Sequence, residues 1–306
     1  MKKENKVLGE GTNYPLKGIL TLPEGEGKFP AVVFVHGSGS SNMDERVGKL
    51  TPFKDLAEGL AEHGIASIRY DKRSFAHGLK MMKESCITVR EETIEDAILA
   101  ARMLREDPRI DPDQVFIVGH SMGAMLAPRI DAEGGNFAGL VLMAGTLRKL
   151  EEVLIYQTRE MQGQYGKLLS RILEKQVKKL EASFDGLYEM TDEAAKAKKM
   201  GGGTTLYYFK EMGMHPAAGY LEKTEKPVLI MQGGKDFQVK ADLDFAEYQK
   251  LLGAKENVSF RLYDDLNHVF VPGIYNDIIK AKKEYNVEQH IGEDVIADIA
   301  NWILSK

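Results

Sequence analysis

The stretch around Ser121 has the residue pattern of a nucleophile exposed on a sharp turn. An apolar, β-branched run at 115–118 leads into Gly119-His-Ser-Met-Gly123, and a helix-forming segment follows. A turn this tight leaves no room for a Cβ two residues to either side of the serine, which explains glycine at both positions. The N-terminus of the following helix offers free N–H groups to negative charge. The pattern therefore predicts that Ser121 is a nucleophile.

A serine hydroxyl is a poor nucleophile at its own pKa and needs an adjacent base. His268 and Asp236 are the candidate partners, because they lie in the loops after the predicted strands 258–263 and 228–232. An imidazole suits the role of base near neutral pH, and a carboxylate fixes its tautomer and stabilises the imidazolium. Asp264 and Asp265 are rivals to Asp236, since they lie close to His268 in sequence. We expect these two at the end of a strand, facing solvent.

Other ionisable residues near these motifs have plainer explanations. His36 and His120 lie in turn motifs, where packing or local hydrogen bonds account for them. Lys72, Arg73 and the charged cluster at 44–46 are expected to be solvated or salt-bridged. His215 is expected at the surface or in the lid, although it could also reach a substrate pocket.

The remaining chain predicts a scaffold that brings these loops together. Continuous apolar runs such as 30–35 and 65–70 are typical of strands buried on both faces. They alternate with amphipathic segments such as 53–63 and 91–106. Short connections between them indicate an α/β protein, with a mostly parallel sheet covered by helices on both faces. Sites in such sheets form where loops leave the carboxyl ends of the strands, which is where the three side chains are expected.

The alternation of strands and helices stops between about residues 147 and 222. Apolar residues there recur at helical spacing, as at Leu169, Leu173, Val177 and Leu180, and Gly201–Gly203 interrupts the pattern. We therefore predict one core domain made of residues 1–146 and 223–306. Residues 147–222 are predicted to be a helical cap, or lid, inserted over the carboxyl edge of the sheet.

The predicted lid carries a dense aromatic and methionine patch. Flat rings and flexible methionine side chains suit a pocket for an apolar or planar acyl group. The alternative is that the patch is the hydrophobic core of the lid itself. The residues predicted to bind substrate are Tyr207, Tyr208, Phe209 and Met212.

Composition and charge limit the partners of the protein. Of its 306 residues 43% are apolar, which is enough for a sizeable core, and the net charge of −5 gives no reason to expect nucleic acid. Cys86 is the only cysteine, so no disulfide forms within the chain and no metal site or cofactor is predicted. A polar start and the lack of any apolar run near the roughly 18 residues that span a bilayer predict a cytoplasmic protein without a membrane partner. Assembly into a homo-oligomer is left open.

Four motifs in order resemble the α/β-hydrolase superfamily over nearly the full length of the chain. They are His36-Gly-Ser-Gly39, Gly119-His-Ser-Met-Gly123, Gln232-Gly-Gly-Lys-Asp236 and Leu266-Asn-His268. Residues 64–73 and 227–233 are also similar to the capped acyl-esterase branch. That branch is related to dienelactone hydrolases, cinnamoyl esterases and the catalytic domain of prolyl oligopeptidases, and is often labelled serine aminopeptidase-like.

The resemblance implies an α/β-hydrolase fold with Ser121 as nucleophile, His268 as base and Asp236 as the acid that orients it. It also implies an oxyanion hole at the backbone N–H groups of Met122 and Ser38, with Gly39 as the competitor of Ser38.

These inferences predict a serine hydrolase that cleaves a small-molecule carboxylic ester through an acyl-enzyme. The same triad would also serve a peptidase or amidase, or a thioesterase. A protein that keeps this fold and binds a ligand without turnover is the alternative from another class.

Overall fold

The structure, a computed structural model, describes residues 1–84, 86–200, 203–275 and 278–306; the side chains at 167, 168, 281 and 282 are not described either. Gly201 and Gly202, two of the glycines predicted to interrupt the lid, lie outside the described residues.

An eight-stranded sheet forms the centre of the molecule, with the strand order β1-β2-β4-β3-β5-β6-β7-β8. The two pairings β1–β2 and β2–β4 are antiparallel, and all the others are parallel, which confirms the prediction of a mostly parallel sheet. The strands are β1 (Lys2–Leu8), β2 (Leu16–Leu22), β3 (Phe29–Val35), β4 (Ala66–Tyr70), β5 (Ile110–His120), β6 (Leu140–Met143), β7 (Val228–Gly233) and β8 (Val258–Tyr263).

Helices connect the parallel strands and complete the fold. Along the described chain, π-helical turns at Arg90–Ile94, Asp131–Gly135 and Ala241–Phe245 each run directly into, or directly follow, an α-helix. The helices are α1 (Pro52–Glu62), α2 (Arg73–Met81), α3 (Glu95–Glu106), α4 (Met122–Ile130), α5 (Leu150–Gly163), α6 (Lys167–Phe184), α7 (Asp192–Ala197), α8 (Leu206–Gly213), α9 (Ala217–Leu221), α10 (Ala246–Leu252), α11 (Ile278–Glu284) and α12 (Glu293–Leu304).

The alternation of side chains between the two faces of the sheet explains why the sequence of β3 is continuously apolar. Val33 and Val35 of β3 belong to the core on one face of the sheet, where α3 and α4 pack. Val32 and Phe34 belong to the core on the opposite face, where α1 and α12 pack. Since both faces are covered by helices, every position of β3 from 31 to 35 is buried, and a polar residue there would lose its hydration.

The segment between β6 and β7 is helical, with α5 to α9 among its described residues. Leu150, Phe184 and Phe209 from this segment join the same buried cluster as Met122 and Leu126 of α4. The rings of Phe184 and Phe209 meet edge to face with centroids 4.9 Å apart. These contacts hold the helices against the carboxyl end of the sheet; the boundaries 147 and 222 of the lid stay a prediction.

Candidate active site

Ser121 lies between β5 and α4 with its backbone in a rare conformation. Its φ of 53° and ψ of −117° are disfavoured for a residue with a Cβ, at a cost of about 1–3 kcal/mol. The backbone N–H of Ser121 donates to the carbonyl of Met143 at the end of β6, at 2.8 Å. Strand and helix packing therefore hold the serine at the carboxyl edge of the sheet.

The two glycines flanking the turn are explained by contact with backbone. A Cβ on Gly119 would lie 2.3 Å from the carbonyl oxygen of Gly123, and one on Gly123 would lie 2.1 Å from the carbonyl oxygen of Val35. Neither backbone group can move without disturbing the sheet. The prediction that the turn leaves no room for a Cβ at either position is confirmed.

His268 and Asp236 form a buried pair at the same edge. Nδ1 of His268 lies 2.7 Å from Oδ2 of Asp236, and both side chains are almost completely buried. Oδ2 also accepts from the side-chain amide of Gln232, while Oδ1 accepts from the backbone N–H groups of Gln238 and Val239. Because an ionised carboxylate only accepts, Nδ1 of His268 carries the proton. Its Nε2 is thereby left with a lone pair that can accept another.

The two rival aspartates are not part of this pair. Asp264 and Asp265 follow β8, and both are exposed. Asp265 pairs with the ammonium of Lys235 at 2.7 Å, while 82% of its side chain stays exposed. Neither carboxylate contacts His268, in agreement with the expectation that they face solvent.

Ser121 and His268 line one cavity of about 230 Å³, together with Gly37, Ser38 and Tyr285. Among the described residues no hydrogen bond joins the Ser121 hydroxyl to His268. Such bonds are often long in free enzymes and shorten in the complex with substrate. The geometry brings a hydroxyl and an imidazole with a free Nε2 to the same cavity wall.

The loop after β3 forms another wall beside Ser121. A Cβ built on Gly37 would lie 3.2 Å from the Cβ of Ser121, so the loop touches the serine. In the described part of the chain the Ser38 N–H donates no hydrogen bond. Met122 is the first residue of α4, where N–H groups lack an acceptor within the helix. Both predicted oxyanion donors are therefore available to a ligand, while Gly39, with a φ of +84°, lines the adjoining cavity.

Two of the charged residues that were expected to be solvated or salt-bridged, Lys72 and Glu45, are buried behind this loop. Lys72 is 2% exposed, donates to the carbonyl of Gly37 at 2.9 Å and lies 3.6 Å from the carboxylate of Glu92. Burial lowers the pKa of its ammonium group. Glu45 is also buried, with Oε2 3.0 Å from Nδ1 of His120. Of the two expected alternatives, pairing with an oppositely charged or ionisable side chain is the one found, and the pairs are enclosed by the fold.

A second, apolar cavity of about 460 Å³ adjoins the first, since Ser38 and Ser40 line both. Of the predicted substrate-binding residues, Tyr208 and Phe209 lie in its wall. Tyr208 donates to Oε2 of Glu92 at 2.6 Å, and burial together with this carboxylate raises the pKa of its phenol well above the usual range.

The structure places the other two predicted substrate-binding residues elsewhere. The Tyr207 ring lies 4.5 Å from the ammonium of Lys196. Met212 is buried beside a much smaller cavity of about 20 Å³ next to Met125. Neither Tyr207 nor Met212 lines the apolar cavity.

Sequence reasoning missed several residues that line the apolar cavity. They come from two places, the region around α2 and the start of α5, and comprise Met81, Met82, Ile87, Leu150 and Leu154. One signal was present: Leu150 and Leu154 stand four residues apart on one helix face. The helix α2 itself was not predicted, because its apolar residues are interrupted by charges and by Gly78.

Within the described ranges, no group of three histidine, cysteine or acidic side chains is arranged to hold a metal ion. In the same part of the chain, every helix is too short or too polar to cross a bilayer.

A mostly parallel sheet with a serine on the turn after β5 and a histidine–aspartate pair after β8 and β7 defines the α/β-hydrolase fold class. The chain belongs to the family described as serine aminopeptidase, S33, whose model matches residues 29–271. The suspected superfamily is confirmed by this match.

Known proteins similar to the chain include esterases. Esterase EstD of Thermotoga maritima is 36% identical over 289 residues, a stretch that is 94% of this chain but only 65% of EstD. Thiohydrolase aneE of Aspergillus aculeatus is 26% identical, covering 83% of this chain and 82% of the relative. The solved structure of Est1E from Butyrivibrio proteoclasticus superposes with a TM-score of 0.60 at 15% identity, covering 99% of both chains, and shows the fold.

Proposed function

We propose that the protein hydrolyses carboxylic esters through an acyl-enzyme formed on Ser121, with His268 as base and Asp236 as the acid that orients it. The observation that carries the proposal is the 2.7 Å contact between His268 and Asp236 in the wall of the cavity that Ser121 also lines. The similarity to esterase EstD supports an ester as the substrate.

In the proposed reaction, the Ser121 oxygen attacks the ester carbonyl carbon while Nε2 of His268 takes the hydroxyl proton. The tetrahedral intermediate collapses, the bond to the alcohol oxygen breaks, and His268 gives its proton to that oxygen. Water then attacks the acyl-enzyme, again losing a proton to His268. The proton returns to the serine oxygen as the carboxylic acid leaves, so the enzyme is regenerated.

The negative charge on the carbonyl oxygen requires donors that are fixed before the reaction begins. We assign this role to the backbone N–H groups of Ser38 and Met122. Ser38 belongs to the loop that touches Ser121, and the peptide before it is held by Glu45 and Lys72. A donor loop restrained in this way needs no rearrangement when charge develops.

The two cavities suggest which part of the substrate lies where. The leaving oxygen must be next to His268, which lines the smaller cavity together with serine, glutamate and arginine side chains. The acyl group then extends past Ser38 and Met122 into the apolar cavity. Tyr208 and Phe209 of α8 line that cavity, so we propose that the lid formed by 147–222 selects the acyl group of a small-molecule ester.

Thioester hydrolysis is the second candidate, because thiohydrolase aneE is similar over most of both chains. Amide cleavage remains the third, given the family description. The three bonds differ in leaving group but use the same attack on a carbonyl.

The test is labelling by a fluorophosphonate, followed by rates on an ester, a thioester and an anilide that share one apolar acyl group. We expect labelling of the wild type and of Ser183→Ala, a control at a half-buried serine of α6 whose hydroxyl donates to the Lys179 carbonyl, and none of Ser121→Ala. The ester should have the highest kcat/KM. Ester hydrolysis by Ser121→Ala at the wild-type rate would exclude the mechanism, and a faster anilide would exclude the substrate class.

A further inference from the structure

The residue before Ser121 makes contacts that the proposed reaction does not use. His120 ends β5 and is buried, and its ring lies 4.8 Å from the ring of His268, centroid to centroid. Its Nε2 lies 2.8 Å from the backbone carbonyl oxygen of His268. Its Nδ1 lies 3.0 Å from Oε2 of Glu45, without the alignment of a hydrogen bond.

These two neighbours determine the protonation of His120. A carbonyl oxygen only accepts, so Nε2 of His120 must carry a proton toward His268. If the ring were neutral, its Nδ1 lone pair would face the carboxylate of Glu45, and two acceptors would repel each other. The contact is favourable when Nδ1 is also protonated, which makes the pair an imidazolium and a carboxylate. A buried charge is tolerated only with such a partner.

The pKa shifts of His120 and Glu45 agree with a charged pair. Burial alone lowers the pKa of the His120 imidazole, but the charge of Glu45 and the contact with it outweigh burial and raise the pKa. Burial alone raises the pKa of the Glu45 carboxyl, but His120, His36 and the Gly37 N–H together hold it below its usual range.

The other oxygen of Glu45 reaches the loop after β3. Oε1 accepts from the Gly37 N–H at 2.7 Å, and Gly37 directly precedes Ser38. Glu45 itself has a φ of 51°, a left-handed conformation that persists only where the surroundings determine it. One carboxylate thus holds the loop after β3 through one oxygen and His120 through the other.

We propose that Glu45 and His120 are positioning residues, and that their buried carboxylate–imidazolium pair ties the loop of Ser38 to the loop of His268 beneath Ser121. The proposal rests on the proposed function, because it concerns the distance between the oxyanion donors and the base. Neither residue is assigned contact with the reacting atoms. Their role is to fix the two loops that make those contacts, where a displacement of about 1 Å can cost about 10²-fold in rate.

The pair should make activity sensitive to alkaline pH. When pH rises above the raised pKa of His120, Nδ1 loses its proton, its lone pair faces the carboxylate, and the tie between the loops weakens. The ionisable groups that face the pair are His36, Lys72, Asp236, His268 and, in the cavity wall, Arg46 and Tyr285. Burial lowers the pKa of His36 to about 4, so it does not titrate in the alkaline range. Burial lowers the pKa of Lys72, which makes it a rival source of a change at alkaline pH, so a variant that separates the two residues is needed.

Glu45→Gln is that variant, since a glutamine keeps the shape and removes the charge. Its amide oxygen can accept from the Gly37 N–H while its NH₂ donates to a neutral Nδ1 of His120. We expect kcat at neutral pH to stay within about threefold of the wild type, because neutral hydrogen bonds replace the ionic contact. The fall of kcat at alkaline pH should disappear, because this variant has no imidazolium to deprotonate. Glu45→Ala removes both contacts and should lower kcat about 10²-fold with little change in KM.

The experiment measures kcat and KM for a chromogenic ester from about pH 6 to about pH 10 in the wild type, Glu45→Gln and Glu45→Ala. Glu211→Gln is the matched control: its side chain is 13% exposed against 10% for Glu45, and it pairs with the buried Arg129 away from both cavities. Circular dichroism and thermal unfolding show whether each variant is folded. We expect the control to keep the wild-type pH profile.

Three outcomes would overturn the proposal. They are a folded Glu45→Ala enzyme with wild-type kcat, a wild type whose kcat does not fall at alkaline pH, and an alkaline fall that persists in Glu45→Gln. The last result would assign the fall to another group such as Lys72. If Glu45→Ala does not fold, the profile of Glu45→Gln still decides. Failure of the proposed function is distinguishable, because it would appear as ester hydrolysis by Ser121→Ala.

Discussion

Nδ1 of His268 and Oδ2 of Asp236 lie 2.7 Å apart, and the remaining hydrogen-bonding capacity of the carboxylate is taken by one side-chain amide and two backbone N–H groups. The carboxylate is therefore immobile, and it can hold the imidazole in only one tautomer. Asp236 therefore differs from Asp265, whose carboxylate is exposed, and the two residues can be compared by mutation.

Asp236→Asn should lower kcat by about 10³–10⁴, because an amide favours the wrong imidazole tautomer. Asp265→Asn, which changes an exposed carboxylate paired with Lys235, should leave kcat near the wild-type value. Both variants are compared in kcat and KM on one chromogenic ester. The reverse ranking would show that another acid orients His268.

The turn at Ser121 should tolerate no larger residue at its flanks. Gly123→Ala places a Cβ 2.1 Å from the Val35 carbonyl oxygen, and we expect a loss of more than about 3 kcal/mol in the free energy of unfolding. Gly163→Ala is the control, because its Cβ would meet nothing within 4 Å in α5. That change should be neutral or stabilising by up to about 1 kcal/mol. Urea denaturation measures both, and a stable Gly123→Ala protein would contradict the described turn.

If the apolar cavity binds the acyl group, a substitution in its wall should change which esters the enzyme prefers. The reaction itself should stay the same. Phe209→Ala should lower kcat/KM for a bulky apolar ester by an amount equivalent to about 1–3 kcal/mol, and change the rate on an acetate ester little. Phe245→Ala removes an equally buried ring that packs on Phe260, away from the cavity. The control should lose stability and keep its preference. Equal losses on both esters in Phe209→Ala would identify Phe209 as part of the hydrophobic core alone.

The burial of His36 should make the free energy of unfolding decrease at acidic pH. Burial lowers its pKa to about 4, whereas an unfolded histidine titrates near about 6.5. Between these values the unfolded chain binds more protons, so the stability that His36 provides falls as pH falls. From pH 7 to about pH 5 the loss is on the order of 2 kcal/mol. His36→Gln keeps a donor for the Asn42 carbonyl and should lose less over the same interval in urea titrations. Parallel losses in both proteins would assign the acid sensitivity to other groups.

The sequence predicted the parts of the fold and site that depend on local pattern. The runs that became β3 and β6 are continuously apolar because helices cover both faces, and that property is visible without coordinates. The glycines around Ser121 were explained by a backbone contact that the structure contains. The strand ends then placed Asp236 and His268 at one edge.

What the sequence could not predict depends on contacts between distant segments. Glu45 and Lys72 were interpreted as solvated or salt-bridged because charges in a loop usually are, and only the closing of two loops around Gly37 buries them. In α8, the patch at 207–212 contains residues on more than one helix face. Tyr207 lies on a different face of α8 from Phe209, whereas Met212 shares the face of Tyr208 and Phe209 but lies one turn further along, where it lines the small cavity together with Met125. A list of aromatic residues does not show which turn of the helix meets the larger cavity.

The wall shared by the two cavities consists of only a few residues, Ser38 and Ser40 among them, and it is built from the loop after β3. The linings on its two sides come from separate stretches of the chain. Directed evolution can therefore diversify the cavity-facing residues of α2, α5 and α8 in one library and Arg46, Val47 and Tyr285 in another, and combine the best variants. Each library would alter the cavity that binds a different part of the substrate. The residues proposed to break the bond would stay unchanged in both.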